Sequence, residues 1–138
     1  HYASQYQATE VVVRALLEAN REGAAVKDSA ANYPIHLAAM YQCYDGVMAA
    51  LIDAFPEGAL AAKRDGNLPI HFAAGNQSTV GVTRQLVAAY PKGAKTTEDS
   101  GMLPLQLAAK KQVVLERVLQ ERTQDRKIID MICDKNDK

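Results

Sequence analysis

The chain has 138 residues, enough for about one domain, and its 16 Lys plus Arg balance 16 Asp plus Glu, so a basic nucleic-acid binder is disfavoured. No apolar run approaches the roughly 18 residues of a membrane span, and no direct membrane insertion is expected. Of the 48% apolar residues, 23 are Ala, which buries little area but permits close approach, a composition suited to thin, tightly stacked helices.

Residues 1–24 read as a partial first unit: a remnant of a first helix at His1 to Tyr6, then a second helix carrying Val13, Leu16 and Leu17, closed by Glu22-Gly23-Ala24. Residues 25–59 form the first whole unit. An extended loop with a tight turn leads to Pro34, and proline at the first helical position loses no hydrogen bond and arrives with φ preset, so a short helix opens there. After a polar turn at Asp45-Gly46, a second helix places Val47, Leu51 and Ile52 on one face. It ends at Phe55-Pro56-Glu57-Gly58, where proline disfavours helix in the preceding residue and glycine is expected to take the left-handed conformation.

Residues 60–94 repeat this plan, with Asp65-Gly66-Asn67 in the loop, Pro69 opening the first helix, Gly75-Asn76-Gln77-Ser78 turning, Val82, Leu86 and Val87 on the second helix, and Tyr90-Pro91-Lys92-Gly93 stopping it. Residues 95–120 begin a further copy at Pro104 but lose the polar turn after Lys111, so Val113, Val114, Val118 and Leu119 continue helically as a shortened terminal repeat. Residues 121–138, with Ile128, Ile129 and Ile132 on one face, read as a charged C-terminal helix or tail, expected to dock on the parent stack.

The units are copies of one another. Pro34-Ile35-His36-Leu37-Ala38-Ala39, Pro69-Ile70-His71-Phe72-Ala73-Ala74 and Pro104-Leu105-Gln106-Leu107-Ala108-Ala109 follow at steps of 35 residues, and the second-helix and Gly-Ala columns keep the same step. Stepping back from His36 lands on His1. A bare first unit cannot cover its own apolar face, so a further repeat or a partner surface is expected before His1.

These Pro-Ile-His-Leu-Ala motifs resemble the T-P-L-H-x-A signature of ankyrin repeats, over residues 1 to about 120. The resemblance implies an all-α fold, an ankyrin-type α-solenoid of helix-turn-helix repeats with extended hairpin loops. It also implies a structural role for His36 and His71 in bonding backbone between repeats. Tyr33, Leu68 and Leu103 stand where the signature has Thr, so that hydroxyl cannot bond the His, and Gln106 replaces the third His. Tyr33, Phe55 and Tyr90 are expected to fill the room left by the longer repeat.

No Gly-rich phosphate loop, zincin, nucleophile-elbow or paired-carboxylate motif is present, and His36 and His71 lack the convergent ligands a metal needs. No catalysis, cofactor or metal is expected. Cys43 reads as a semi-buried thiol, and two distant cysteines without C-x-x-C spacing point to a reducing intracellular compartment, cytoplasm or organelle interior.

What remains is surface. The resemblance implies a protein partner held along a concave edge built from hairpin tips (Asn32, Lys63, Arg64, Asn67, Asp99, Met102) and first-helix positions (Met40, Tyr41, Tyr44, Asn76, Lys110, Lys111). Tyr44 has an alternative place under the helix turn. A second reading makes the chain a permanent structural or linker subunit of a larger assembly, an organellar one included. Residues 1–69 carry 5 basic and 8 acidic side chains, net −3, and residues 70–138 carry 11 and 8, net +3, so the two ends differ in potential.

Overall fold

The computed structural model describes residues 2–136, with side chains for residues 9–112, 116–131 and 133. His1 and the side chains of Tyr2 to Tyr6, Val113, Val114 and Ile132, to which the sequence assigns roles, lie outside that description.

Every regular element among the described residues is helical: α1 (Tyr2–Ala19), α2 (Pro34–Met40), α3 (Asp45–Ala54), α4 (Pro69–Gly75), α5 (Val80–Ala89) and α6 (Pro104–Asn136). Short 3-10 turns at Arg21–Ala25, Pro56–Leu60 and Pro91–Lys95 follow α1, α3 and α5. The three prolines open α2, α4 and α6 as their fixed φ demands. Helices α2, α4 and α6 pack side by side in one row, α1, α3 and α5 in a second, and α2·α3 and α4·α5 join the rows. The core between them holds Ile35, Ala39, Met48, Ile70, Ala73, Val82 and Leu86. Alanine at 39 and 73 lets neighbouring short helices approach closely, and Tyr33 and Tyr90 pack against the edge of the core. Phe55 tilts against Tyr33, with 5.1 Å between ring centroids.

The connecting loops are small hairpins rather than strands. In each, two backbone bonds close the tip: Asp28 N–H to Asn32 O at 2.9 Å with Ala31 N–H to Asp28 O at 3.0 Å, and the same pairs at Lys63/Asn67 with Gly66 and at Glu98/Met102 with Gly101. The tip residue has positive φ in all three, 64° at Ala31, 75° at Gly66 and 81° at Gly101.

Four local expectations are corrected. Helix α1 is one continuous helix rather than a remnant plus a second helix, because no proline or glycine interrupts residues 2–19. The boundary expected at residue 120 is absent: α6 runs unbroken to Asn136, again without a breaker, and Ile128 and Ile129 are exposed rather than docked on the stack. Asp45-Gly46 form the first turn of α3, where an acidic side chain suits the positive helix end. Finally, Gly58 and Gly93 have ordinary negative φ. At Gly58 glycine is required by contact, since a Cβ there would come within 2.8 Å of Phe55 and 3.1 Å of Ile35.

Candidate functional site

His36 and His71 occupy equivalent internal positions and make equivalent bonds. The ring Nδ1 of His36 accepts the Tyr33 N–H at 3.2 Å and that of His71 the Leu68 N–H at 3.0 Å. An Nδ1 that accepts leaves the proton on Nε2, which therefore donates to a carbonyl 25 residues on, Ala61 O at 2.8 Å and Thr96 O at 2.9 Å. Both rings are buried. Burial pulls His36 below its ordinary pKa; the Ala61 carbonyl opposes this, and Lys63 and Lys27 add to it. At position 106 the Gln Oε1 takes the Nδ1 role, accepting Leu103 N–H at 2.8 Å.

The surface candidates separate into two rows. Tyr41 and Tyr44, with half-buried Met40, lie where α2 ends, while Lys63, Arg64 and Asn67 lie on the hairpin that leads into α4. A short helix of 7 residues stands between tip and turn in each unit, roughly 10 Å at 1.5 Å per residue. In the tip row, Ser29, Ala30 and Ala31 face Lys63, Arg64 and Asp65 across a cleft of about 300 Å³. Asp99 N–H bonds Asp65 O at 3.0 Å, tying the next tip alongside, with half-buried Met102 at its base. Lys63 Nζ sits 5.4 Å from the Phe72 ring centre and Lys27 Nζ 5.0 Å from that of Tyr33, so both cations lie over aromatic faces with their stems laid down.

The turn row is laddered by side chains. Gln42 donates to the Asn76 carbonyl, and Gln77 reaches Gln112 at 3.5 Å. Lys110 and Lys111 continue it on α6, exposed. Asn32 does not belong to either row. It is buried, its amide donates to Asp28 Oδ2 at 3.0 Å, and its Oδ1 has no hydrogen-bond partner. The side chain is spent on holding the hairpin, since Asp28 Oδ1 in turn accepts the amides of Ala30 and Asn32.

Sequence reasoning passed over Lys27, Tyr33 and Phe72 as members of this surface. A cation next to an aromatic in the fold leaves no local spacing signal, because the two Lys-aromatic pairs have different separations along the chain. Cys43 is half-buried, and burial together with the Asp45 carboxylate pushes its thiol up to about 11, leaving it protonated and unreactive. Among the described residues no three His, Cys, Asp or Glu side chains converge as a metal site, and no helix is long and apolar enough to cross a membrane. No family model matches the chain, and no curated protein matches it in sequence.

Proposed function

We propose that the chain is an ankyrin-type stack that binds a partner protein and carries out no chemistry itself. One observation carries this reading. Hairpins with the same two closing bonds present different exposed side chains at successive tips, Ser29, then Arg64, then Asp99, while the residues beneath them barely change. A scaffold that holds backbone constant and varies exposed tips is suited to recognising another polypeptide, with little ordering cost because the tips are preformed. Arg64 on the tip row and Tyr41 on the turn row are both exposed and belong to residue types that anchor interfaces.

The test is affinity capture with the intact chain, identification of the retained protein, and calorimetric titration of that protein against wild type, Arg64→Glu and Tyr41→Ala. The expected result is a partner whose affinity falls about tenfold or more in at least one variant, with the unfolding midpoint unchanged in both. A retained protein that binds all three equally well would refute the assignment of the surface, and turnover of any small substrate by the chain would refute the function.

A further inference from the structure

Helix α6 carries both helices of one unit on a single straight rod. Its opening at Pro104 corresponds to α2 and α4 by the 35-residue step. Its continuation has the pattern of the second helices. Val47, Leu51 and Ile52 on α3 and Val82, Leu86 and Val87 on α5 follow at intervals of four and one, and so do Val114, Val118 and Leu119, three residues early by that step. In the two earlier units the chain turns back between the helices; in α6 it does not.

The turn residue is kept all the same. Gln42 and Gln77, one step apart, take the left-handed backbone of the two turns, each at φ 56°, a conformation that residues other than glycine seldom adopt. One further step lands on a third glutamine, Gln112, which lies within α6 without positive φ. The three residues lost after it are the counterparts of Cys43, Tyr44 and Asp45. Lys111 and Gln112 remain as a link of two residues, at the short end of the two to five that join antiparallel helices.

Running straight leaves an apolar groove of about 410 Å³ lined by Ile70, Val87, Leu105 and Ala108. One step earlier the matching Ile35, Ile70 and Ala73 are buried, with Val82 and Leu86 of α5 packed in the same core. Leu105 is 76% exposed where Ile70 is 4%, and Val118 is 39% exposed where Leu86 is 1%. The groove and the side chains patterned to fill it are thus both uncovered in one molecule.

We propose that α6 is a two-position element: it breaks at Lys111 and Gln112, and its continuation folds back beside α5 so that Val118 and Leu119 cover Leu105 and Ala108. The straight position keeps about four backbone hydrogen bonds that a break gives up and spares Gln112 the left-handed conformation. The folded-back position removes apolar surface of the groove and of the helix from water. A ligand that prefers either position shifts the population towards it. The last apolar face of the stack becomes a surface that opens and closes, whether or not the tip rows bind a protein.

Pulsed electron–electron resonance on the full chain tests this, with nitroxides on Lys92→Cys and Gln120→Cys, both exposed positions, and with Cys43→Ala and Cys133→Ser removing the native thiols. On the straight helix Gln120 stands roughly 12 Å beyond Gln112, while Lys92 follows the far end of α5, roughly 15 Å in the opposite direction, at 1.5 Å per residue. Folded back, the two become neighbours, as Arg21 and Asp53, the counterparts of Pro91 and Gln120, are where Arg21 Nη2 donates to the Asp53 carbonyl. The expected result is a population below about 20 Å, the spacing of packed helices plus the label arms, beside a longer one. Gln112→Gly, which relieves the turn residue, should enlarge it. Adding Leu119→Asp, at a position exposed on the straight helix, should shrink it about tenfold or more without moving the unfolding midpoint. A single long distance in Gln112→Gly overturns the proposal and assigns the groove to a different polypeptide. A short population that Leu119→Asp leaves intact, or one that vanishes on dilution with unlabelled chain and so arises between copies, overturns it as well.

Discussion

Leu16, Leu51 and Leu86 are one position seen three times, and their exposures of 65%, 7% and 1% make the effect of neighbours directly measurable. Replacing each by Ala removes three carbons, worth roughly 2.4 kcal/mol of transfer free energy when fully buried, at about 0.8 kcal/mol per methylene. At Leu86, packed tightly in the core, the cavity left behind raises the expected loss to about 3–5 kcal/mol. Leu51 is expected to lose about 2–4 kcal/mol. Leu16→Ala, whose side chain already faces an apolar groove beside α1, is expected to lose less than about 0.5 kcal/mol. Urea unfolding followed by far-UV circular dichroism in dilute solution measures all three, with the slope compared as well as the midpoint, since a stack of repeats can lose its cooperativity. Equal losses at Leu16 and Leu86 in dilute protein would refute the reasoning, because the same residue would then have the same worth with and without a covering helix.

Ala31 carries φ of 64° where Gly66 and Gly101 stand at the equivalent tips. The left-handed conformation costs a residue with a Cβ about 1–2 kcal/mol, so Ala31→Gly is expected to raise stability by roughly 0.5–1 kcal/mol after the added chain entropy is deducted. His36→Gln is expected to be milder than His36→Ala, since Gln106 already shows an amide oxygen accepting the same backbone N–H; in the Ala variant two bonds are lost, each worth about 1 kcal/mol. His36 also sets a pH response. Its folded pKa lies below the ordinary 6.5, so the unfolded chain takes up its proton first. Stability is therefore full above about 6.5 and declines as pH falls below it, a slope that His36→Gln should remove from denaturant midpoints measured across that range. With a thiol-reactive dye in mildly alkaline solution, exposed Cys133 is expected to react at least about tenfold faster than Cys43, whose thiol is pushed up to about 11; labelling of Cys43 at a comparable rate would contradict its burial.

The helix class and the openings of α2, α4 and α6 were legible in the chain, because proline preset at a helix start and alanine pairs behind it are local constraints that need no neighbour. The tight hairpin turns were legible for the same reason. Of the surface candidates, Tyr41 and Arg64 are exposed, Lys63 is half-buried over Phe72, and Asn32 turns inward to bond Asp28, since a polar side chain on a short loop chooses between solvent and its own backbone according to how the loop closes. The glycines at 58 and 93 show the limit most plainly. As letters they read as helix stops, yet at Gly58 it is Phe55 and Ile35 that crowd the place of a Cβ, and at Gly93 the Tyr90 ring stands 3.0 Å from it.

Periodicity within this chain by itself determined which residues are equivalent. Which equivalent residues are covered was decided only by tertiary structure, because burial is a property of the helices packed alongside: α5, which carries Leu86, packs on both α3 and α4, whereas α1, which carries Leu16, packs on α3. The straight run of α6 belongs to the same category. Losing the polar turn after Lys111 permits the helix to continue, but only the packed molecule shows that continuation leaves Leu105 uncovered and an apolar groove open beside it.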